Sequence, residues 1–428
     1  MIPQIIKNQS FQNIGYYFAS NIVKTIIPFL ILPIITHYLT PSEYGTWQVY
    51  LTLLGLTVPV TALGLNMIVG REYHLRNRQE HAKCVYQSII MIAISNLIFL
   101  LSIFLYGYFN DELMSISVKY LYFLPFLCFF LNIQAINKII LRHEKRAKLF
   151  SVIDTAYSAL FSFSSIALIY FVSISWQAIL SANIITTTLF FIVSMSIVIK
   201  ERKIIIAWDT IKAKSLLLLS LPLVPHAIGG QILNISDRLI LERMTNTAQV
   251  GHYSIGASLG VAVLLFCTAF NNSWGPWMHK QLRDLTEKKK FKIIHYTYLY
   301  FIATFVITFI VGLVAQFYIL FLISDEYHAA IPVAWWIAGG SAFYGMTLAI
   351  NHYLIILGET KILPILTGTA AILNIILTIW LIKKNGTVGA AQSTLISYAV
   401  LFVIMLWQVQ KNMPMPWIRA LKEIKIAK

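Results

Sequence analysis

The sequence predicts an all-α polytopic membrane protein with about 12 transmembrane helices, and three observations support this fold class. Hydrophobic residues occupy 58% of the 428 positions and charged residues only 12%, with a mean hydropathy of +0.72. Soluble domains are about 45–50% apolar and about 25% charged, so the chain departs from them in both respects. About twelve apolar runs reach the ~20 residues that a membrane helix needs. The Lys and Arg residues collect in alternate loops between these runs.

The apolar runs set the order of the predicted spans. The spans cover residues 14–38, 44–68, 85–109, 116–138, 149–172, 177–199, 215–240, 250–273, 293–322, 330–356, 362–382 and 388–410. The first run is too long for the apolar region of a signal peptide and lacks a small-residue cleavage site. We therefore expect it to be a membrane helix.

The chain shows no sequence pattern of a metal site or a nucleotide site. Cys84, Cys128 and Cys267 have neither metal-ligand nor disulfide spacing, and a buried cysteine packs as a small apolar side chain. No phosphate-binding loop of the P-loop type occurs. The sequence therefore predicts no metal, no cofactor and no direct ATP hydrolysis by this chain.

The distribution of positive charge predicts the orientation. An even number of spans puts both termini on one side, and the loops and tails of that side hold 27 of the 33 Lys and Arg residues. Positively charged loops stay in the cytoplasm, so we expect both termini to be cytoplasmic. The net charge of +16 then reflects topology and contact with membrane lipid, and nucleic acid is not an expected partner.

A weak internal repeat divides the predicted spans into six and six. A shift of 206 residues places Pro41–Trp47 on Thr247–Tyr253, with the same order of span, short turn, span and basic loop in each half. Both halves then cross the membrane in the same sense, and substrate sites in such folds lie between the halves. The expected domains are an N-terminal lobe (1–199), a basic cytoplasmic linker (200–214), a C-terminal lobe (215–410) and a basic cytoplasmic tail (411–428).

A polar stripe runs along the first predicted span. Tyr17, Asn21, Lys24 and Pro28 recur at helical spacing, which places them on one face. Lys24 is about ten residues into the span, roughly 15 Å deep at 1.5 Å per residue, and has no acidic residue one turn away. Either its side chain reaches the cytoplasmic interface, or it lines an aqueous cavity and holds an anion. We expect the second.

The seventh predicted span carries a similar stripe and a charged pair. Gln231, Asn234 and Arg238 share one face, and Asp237 lies beside Arg238. A charge inside a membrane span costs several kcal/mol unless it is satisfied, so it marks a candidate functional site. Asp237 and Arg238 either neutralise each other or extend to the nearby interface, or they take part in substrate binding.

Three further titratable residues are candidates for coupling or gating. Asp154 lies near the cytoplasmic end of the fifth span, where a structural role at the interface is equally consistent with its position. His226 and His352 lie within spans and could titrate near neutral pH, although a single histidine in a span is more often simply hydrogen-bonded.

Short motifs in both halves resemble a known family. They are Pro41-Ser42-Glu43-Tyr44-Gly45, Leu221-Pro222, Asp237-Arg238-Leu239-Ile240-Leu241 and Val250-Gly251-His252-Tyr253-Ser254. In these motifs and in layout the chain resembles the polysaccharide-biosynthesis flippases. These are the O-antigen and capsule repeat-unit translocases of the multidrug/oligosaccharidyl-lipid/polysaccharide exporter superfamily.

The resemblance implies a MATE-like fold of two six-helix lobes around a central cavity, in the bacterial inner membrane. It also implies a transporter whose substrate is an undecaprenyl-pyrophosphate-linked oligosaccharide, moved from the cytoplasmic to the periplasmic leaflet by alternating access. The flippase for the peptidoglycan precursor has cationic side chains in its cavity, and Lys24 is at a similar position. That relative has two additional helices for which this chain is too short, which makes the same substrate less expected here.

The implied chemistry agrees with the residues in the spans. A diphosphate needs fixed cations, and Lys24 and Arg238 are the basic residues inside the predicted spans. An inside-negative potential favours outward movement of negative charge by roughly 2.3 kcal/mol per charge per 100 mV, so the potential alone could drive export. Counter-transport of H⁺ or Na⁺ is the other source of energy, and the polysaccharide polymerase machinery is a possible protein partner.

Two alternative functions remain open. A cation-coupled multidrug exporter of the same superfamily would need carboxylates in its spans, and only Asp154 and Asp237 qualify. An integral-membrane polysaccharide polymerase or acyltransferase would normally show a long outer loop or a nucleophile–base constellation, and the sequence shows neither. The sequence thus favours a flippase over an enzyme.

Overall fold

The structure is a computed structural model that describes residues 2–283, 285–359 and 362–420. Within these ranges, the structure does not describe the side chains of residues 2–14, 18, 226, 230, 233, 234 and 283. Contacts divide the chain into two compact units, Met1–Ile235 and Ser236–Lys428. The division falls inside a helix, whereas the sequence places it in the basic segment 200–214. The exact lobe boundaries therefore stay a prediction.

Helices account for nearly all regular structure of the first unit. They are α1 (Ile2–Tyr38), α2 (Pro41–Thr61), α3 (Leu65–Leu75), α4 (Arg78–Phe109), α5 (Val118–Leu121), α6 (Phe123–His143), α7 (Ala147–Phe171), α8 (Trp176–Lys200) and α9 (Thr210–Ser220). A 3-10 turn (Leu221–Leu223) then leads into α10 (Val224–Met244), which crosses the division between the units.

A short hairpin joins α4 to α5. Its strands are β1 (Glu112–Leu113) and β2 (Ile116–Ser117), paired antiparallel with Leu113 opposite Ile116. The two turn residues between the strands are both left-handed, at φ 51° and 57°. Two-residue hairpin turns favour this conformation because it matches the twist of the strands.

The second unit is also helical. It contains the end of α10, then α11 (Thr247–Gly260), α12 (Val263–Arg283), α13 (Glu287–Leu322), a 3-10 segment (Asp325–Ala330), α14 (Ile331–Ile356) and α15 (Ile362–Asn412).

The predicted membrane spans are confirmed in number and order. By length and composition, ten helices of the described residues can cross a membrane, or eleven when the bent pair α2–α3 counts as one span. The long helix α15 is interrupted at Gly386, whose φ of 54° and ψ of −131° are not helical. This break lies at the predicted turn between residues 382 and 388, so α15 contributes two of the twelve spans.

The second predicted span, 44–68, is broken into two helices. Leu63 and Gly64 adopt left-handed φ values of 52° and 71°, and the chain bends by 45° between α2 and α3. A Cβ atom on Gly64 would lie 2.4 Å from the carbonyl oxygen of Ser220. Because only glycine leaves room for this approach, the break is built into the sequence at Gly64.

The second span of each half begins with the same cap. The hydroxyl of Thr40 accepts a hydrogen bond from the Glu43 N–H (3.3 Å) at the start of α2. At the start of α11, the Asn246 side chain accepts one from the Gln249 N–H (3.0 Å). Each cap satisfies a backbone donor that a helix start leaves without a partner. The equivalent positions differ by 206 residues, which supports the internal repeat.

The third residue of each capped helix also reaches the start of a later helix in its own unit. A carboxylate oxygen of Glu43 accepts a hydrogen bond from the Trp176 N–H (2.6 Å), the first residue of α8. In the second unit, the side-chain oxygen of Gln249 accepts one from the hydroxyl of Thr387, the residue after the break in α15. The two halves thus repeat a tertiary contact that their low sequence similarity conceals.

Close packing in the second unit depends on two glycines of α11. A Cβ atom on Gly256 would lie 2.6 Å from the carbonyl oxygen of Ala330, and one on Gly260 would lie 2.7 Å from that of Ala334. Glycines four residues apart let two helices approach closely, which is a common packing mode in membranes. This contact brings α11 against α14.

Candidate functional site

Lys24 in α1 forms an ion pair with Asp154 in α7. The Lys24 Nζ lies 3.0 Å from Oδ2 of Asp154. No acidic residue lies one turn from Lys24 along α1, and its acidic partner comes instead from a helix 130 residues later in the chain. The pair unites the principal substrate-binding candidate with a residue that the sequence only suggested for coupling or gating.

A second lysine completes this cluster. The Nζ of Lys138, in α6, lies 2.5 Å from Oδ1 of Asp154 and 5.9 Å from the centre of the Tyr157 ring. The side chain of Asp154 is only 11% exposed, whereas those of Lys24 and Lys138 are 42% and 27% exposed. Two ammonium groups share one carboxylate, so the cluster keeps one uncompensated positive charge.

Sequence reasoning missed Lys138. It lies five residues before the end of α6, and a lysine near the end of a span is ordinarily counted as a topology signal. The signal that could have identified it is Gln134, one turn earlier on the same face, whose amide donates a hydrogen bond to the carbonyl oxygen of Thr187 (3.0 Å). A polar face that continues from the interface into the span indicates an inward-facing group rather than a solvated one.

Asp154 lies in the first half of α7, and Lys138 lies in the second half of α6. Asp154 is seven residues after the start of α7, which corresponds to about 10 Å at 1.5 Å per residue. Lys138 is five residues from the end of α6, or about 8 Å. These are the helix ends that the charge distribution assigns to the cytoplasm. The depth of Lys24 within the membrane stays a prediction.

Hydroxyl groups hold α1 against α7 around the ion pair. The Ser20 hydroxyl donates to the carbonyl oxygen of Ser151 (3.4 Å), and the Ser151 hydroxyl donates to the carbonyl oxygen of Tyr16 (2.9 Å). The hydroxyl of Thr155 donates to the hydroxyl of Ser20 (3.1 Å). The hydroxyl of Ser158 donates to the carbonyl oxygen of Lys24 at 3.4 Å. These contacts place Lys24 opposite Asp154.

Tyr17 and Asn21, two further residues of the first stripe, have different surroundings. The Tyr17 ring packs edge-on against Phe150 at 5.2 Å and joins an apolar cluster, so it contributes to packing between α1 and α7. The side chain of Asn21 is exposed and makes no hydrogen bond to a described residue, whereas its backbone oxygen accepts one from the Thr25 hydroxyl (2.8 Å). The structure thus brings Lys24 and Asp154 together but leaves Tyr17 and Asn21 outside the ion cluster.

Asp237 is enclosed by hydroxyl groups of the second unit. Its carboxylate accepts hydrogen bonds from Tyr253 (2.7 Å), Thr394 (2.9 Å) and Thr378 (3.4 Å), and its side chain is only 3% exposed. The amide oxygen of Asn374, one turn before Thr378, is buried and has no partner among the described residues. An all-oxygen environment of this kind suits a proton or a hard cation.

Arg238 points to a different partner. Its Nε donates to the Ser254 hydroxyl (3.0 Å), and its guanidinium lies 6.0 Å from the centre of the Tyr253 ring. No ion pair within 4.0 Å joins Arg238 to Asp237, both of which are described. Asp237 and Arg238 therefore form no direct ion pair, because adjacent residues on a helix point in different directions, and their predicted roles stay predictions.

Gln231 lines a cavity of about 400 Å³ in the first unit. The cavity lies at the break between α2 and α3, and Asn66 and Asn132 also contribute to its wall. The side chain of Asn234, like that of His226, lies outside the described residues, so its predicted role stays a prediction.

His352 belongs to a polar cluster of the second unit. Its Nε2 lies 3.0 Å from the amide oxygen of Asn271, and its Nδ1 lies 3.3 Å from Nε2 of His279. A Cβ atom on Gly275 would lie 2.6 Å from the His352 ring, so this glycine makes room for the imidazole. His352 is thus hydrogen-bonded within its own unit.

The first unit contains the same arrangement. Nε2 of His74 lies 2.9 Å from Nδ1 of His143, and a Cβ atom on Gly70 would lie 3.1 Å from the His143 ring. In both units the glycine precedes the first histidine by four residues. No group of three or more His, Cys, Asp or Glu side chains that could hold a metal ion occurs among the described residues.

The sequence model described as "Polysaccharide biosynthesis protein" matches residues 10–282, well over half of the chain. The chain belongs to this polysaccharide biosynthesis protein family. No curated protein matches the sequence.

Solved structures show which fold this family member adopts. The lipid II flippase MurJ, in an inward closed conformation, matches with a TM-score of 0.70 at 15% identity, over 97% of this chain and 92% of that chain. An inward-facing multidrug resistance MATE family transporter of the MOP superfamily matches with a TM-score of 0.69 at 14% identity, over 91% and 95%. The Vibrio cholerae MATE transporter VcmN in its bent form matches with a TM-score of 0.54 at 13% identity, over 95% and 98%. The all-α, MATE-like fold predicted from the sequence is confirmed.

Proposed function

We propose that this family member is a flippase. It moves an undecaprenyl-pyrophosphate-linked O-antigen or capsule repeat unit from the cytoplasmic to the periplasmic leaflet of the bacterial inner membrane by alternating access. Membership of the polysaccharide biosynthesis protein family supports a lipid-linked glycan as the substrate. The fold shared with the lipid II flippase MurJ supports translocation rather than catalysis.

The observation that carries this proposal is the cluster of Lys24, Lys138 and Asp154. A diphosphate carries charge-dense oxygens, and ammonium groups bind such oxygens through strong charge-assisted hydrogen bonds. Two lysines with one shared carboxylate retain a net charge of +1, so the cluster attracts an anion while its cations stay solvated and ordered. Both lysines are partly exposed, which leaves N–H groups for a ligand.

The position of the cluster agrees with loading from the cytoplasm. With the orientation that the charge distribution predicts, the three residues lie in the cytoplasmic halves of the predicted spans 14–38, 116–138 and 149–172. A substrate made on the cytoplasmic side would meet these cations first. The inside-negative potential then favours outward movement of its negative charge.

Asp237 is the proposed site of ion coupling. Its carboxylate and the hydroxyls of Thr378 and Thr394 supply oxygen ligands of the kind that Na⁺ takes in transporters. The buried amide oxygen of Asn374, one turn before Thr378 in α15, is a candidate for a further ligand. Protonation of the same carboxylate would serve H⁺ coupling. The enclosure by hydroxyls supports a coupling role for Asp237 over direct contact with the sugar or the diphosphate.

The test is translocation by the purified protein in liposomes. The probe is the lipid-linked oligosaccharide extracted from cells that lack this protein, and outward movement is followed by its accessibility to a glycan-cleaving enzyme on one side. We expect Lys24→Gln and Lys138→Gln each to slow translocation by about tenfold or more, since a hydrogen bond to a charged group contributes about 1.5–3 kcal/mol.

The control is Lys148→Gln. Lys148 is exposed in α7 near the cluster, and it makes no ion pair among the described residues. Its substitution should leave the rate unchanged. Normal translocation by both cluster variants, at wild-type protein levels, would overturn the proposal.

A multidrug exporter is the second candidate, and the match to a MATE family transporter favours it. Export of cationic drugs would depend on Asp154 as a binding carboxylate. Two lysines already occupy that carboxylate, which disfavours a cationic ligand. Uptake of a fluorescent organic cation into the same liposomes separates the two functions, because the flippase proposal expects none.

A further inference from the structure

The cavity at the break in the second span differs chemically from the lysine cluster. It encloses about 400 Å³ between α2, α3, α6 and α10 of the first unit. None of its lining residues is charged. A diphosphate would therefore find no counter-charge there, and the cavity suits a neutral ligand.

Three carboxamide side chains provide the polar part of the wall. Asn66 donates from Nδ2 to the Asn132 Oδ1 (2.9 Å), and Asn132 in turn donates to the carbonyl oxygen of Val58 (3.2 Å) and the hydroxyl of Thr61 (3.3 Å). This network orients Asn66 and Asn132 in the wall. It also uses both the donor and the acceptor of the Asn132 amide.

The same network leaves hydrogen-bonding capacity unused. The Asn66 Oδ1 is buried and has no hydrogen-bond partner in the part of the chain that the structure describes. The amide of Gln231 makes no hydrogen bond to any described residue. A buried polar atom without a partner costs about 1–3 kcal/mol, so the Asn66 Oδ1 favours a ligand that supplies a donor. The Gln231 side chain is exposed, and its amide can supply a further hydrogen bond to the same ligand.

The remainder of the lining is aliphatic. Leu51, Leu54 and Met67 contribute side chains, and Pro59 and Leu131 complete this surface. A ligand must therefore present hydroxyl or amide groups on one side and C–H groups on the other. A sugar ring has this amphipathic character, with hydroxyls around its edge and C–H bonds on its faces.

The backbone supports a binding site at this place. The break at Leu63 and Gly64 interrupts the helix beside the cavity, and Gly64 approaches the backbone of Ser220 too closely for any larger residue. Interrupted helices in transporters recur at substrate sites, because the loss of regular helix makes room for the ligand.

We propose that this cavity binds a neutral sugar residue of the cargo, with Asn66 and Gln231 as its hydrogen-bonding groups. This inference rests on the proposed flippase function. It separates recognition into two places: lysines contact the diphosphate, and the uncharged cavity contacts the glycan. The cavity then contributes selectivity for the sugar that the lysines cannot supply.

The experiment compares two ligands on the full-length protein in lipid nanodiscs. One is the lipid-linked oligosaccharide extracted from cells that lack this protein, and the other is undecaprenyl diphosphate without sugar. Gln231→Leu is the principal variant, because it removes an amide that makes no internal hydrogen bond and keeps a similar size. Gln48→Leu, the same substitution in α2 outside the cavity lining, is the matched control.

We expect the wild type to bind the glycan-bearing ligand more tightly than the bare diphosphate. Gln231→Leu should weaken binding of the glycan-bearing ligand by about two- to tenfold, the range for one neutral hydrogen bond, and leave binding of the bare diphosphate unchanged. Asn66→Ala should act in the same direction, and Gln48→Leu should change neither.

Other outcomes would overturn the inference. If Gln231→Leu and Asn66→Ala both bind the glycan-bearing ligand as the wild type does, or if they weaken both ligands equally, the cavity is not a sugar site. Equal binding of both ligands by an active wild type rejects the sugar site and leaves the flippase proposal intact. If the wild type binds neither ligand, the proposed function fails and the inference fails with it.

Discussion

Lys24 and Lys138 bind the same carboxylate from two different helices. Asp154 receives Lys24 on Oδ2 at 3.0 Å and Lys138 on Oδ1 at 2.5 Å. Neither lysine can lose this partner without leaving a charge in a partly buried position. The arrangement resembles an anion-binding site in which the Asp154 carboxylate serves as the counter-ion until a stronger anion binds.

Asp154→Asn should destabilise the protein, because two ammonium groups would then lie side by side without a countercharge. Breaking a fully buried pair costs about 3–5 kcal/mol, and the exposure of both lysines reduces the expected loss to about 1–2 kcal/mol. Thermal unfolding in detergent at low and high salt measures it. Asp111→Asn is the matched control, because Asp111 is exposed and only its backbone is hydrogen-bonded.

The double variant Asp154→Asn/Lys138→Gln should recover part of this loss, because it removes one of the two repelling charges. A double variant no more stable than Asp154→Asn alone would contradict the charge argument and indicate that shape, rather than electrostatics, holds the cluster together.

Asp237→Asn should abolish any response of translocation to an imposed ion gradient. Asparagine keeps the size of the side chain but can neither take up a proton nor neutralise a cation in the hydroxyl enclosure. The measurement is translocation in liposomes with an inward gradient of Na⁺ or of H⁺, compared with no gradient. Arg238→Gln is the comparison, and it should retain the response. An unchanged response in Asp237→Asn would exclude this site from coupling.

Gly260→Leu should strongly destabilise the second unit. Any side chain at Gly260 meets backbone atoms of α14, which cannot rotate away, and overpacking costs about 1–3 kcal/mol or more.

Gly368→Ala in α15 is the opposite case, because nothing lies within 4 Å of its added Cβ atom. There we expect a gain of about 0.5–1 kcal/mol from better helix propensity. Unfolding midpoints in detergent test both, and equal effects would argue against the close approach of α11 and α14.

The ion cluster after α8 predicts a pH dependence of stability. Arg146 Nη1 lies 2.7 Å from both carboxylate oxygens of Glu201, and Lys203 lies 2.8 Å away. Hydrogen bonds from Arg146, together with the Lys203 charge, lower the pKa of Glu201 below its ordinary value of 4.5. A carboxyl group with a lowered pKa stabilises the fold above that ordinary value, and the contribution disappears as the pH falls through the lowered pKa.

The difference in unfolding midpoint between the wild type and Glu201→Gln should therefore be constant near pH 7 and shrink below about pH 4.5. Glu112→Gln, at an exposed hairpin position, should show no such trend. A difference that grows on acidification would reverse the sign of the argument.

The sequence predicted the spans well, because hydrophobic length is a one-dimensional property. Each run of about 20 apolar residues has to cross the membrane wherever its neighbours lie. The break in the second span was missed, since Leu63 and Gly64 look ordinary until the backbone of Ser220 is seen against them. Orientation and lobe boundaries stay predictions from the loops.

Some residues of the candidate site were likewise found from the sequence, and others were missed. Lys24 and Asp237 were found from sequence, because a charge within an apolar run stands out locally. Lys138 was missed, since a lysine at a span end looks like a topology signal until its partner is known. The hydroxyl groups around Asp237 were also missed, because Ser and Thr are common in membrane helices and carry no signal of their own.

By itself the sequence determined that this is an all-helical membrane protein, which runs of residues are its membrane spans, and which charges are unusual among them. The tertiary structure decided what those charges do: Lys24 is paired rather than isolated, and Asp237 is enclosed by hydroxyls rather than paired with its neighbour Arg238. The physical reason is that the length of an apolar run depends only on consecutive residues of the chain. A buried charge, in contrast, is satisfied by whichever helix packs beside it, and that helix can come from anywhere in the sequence.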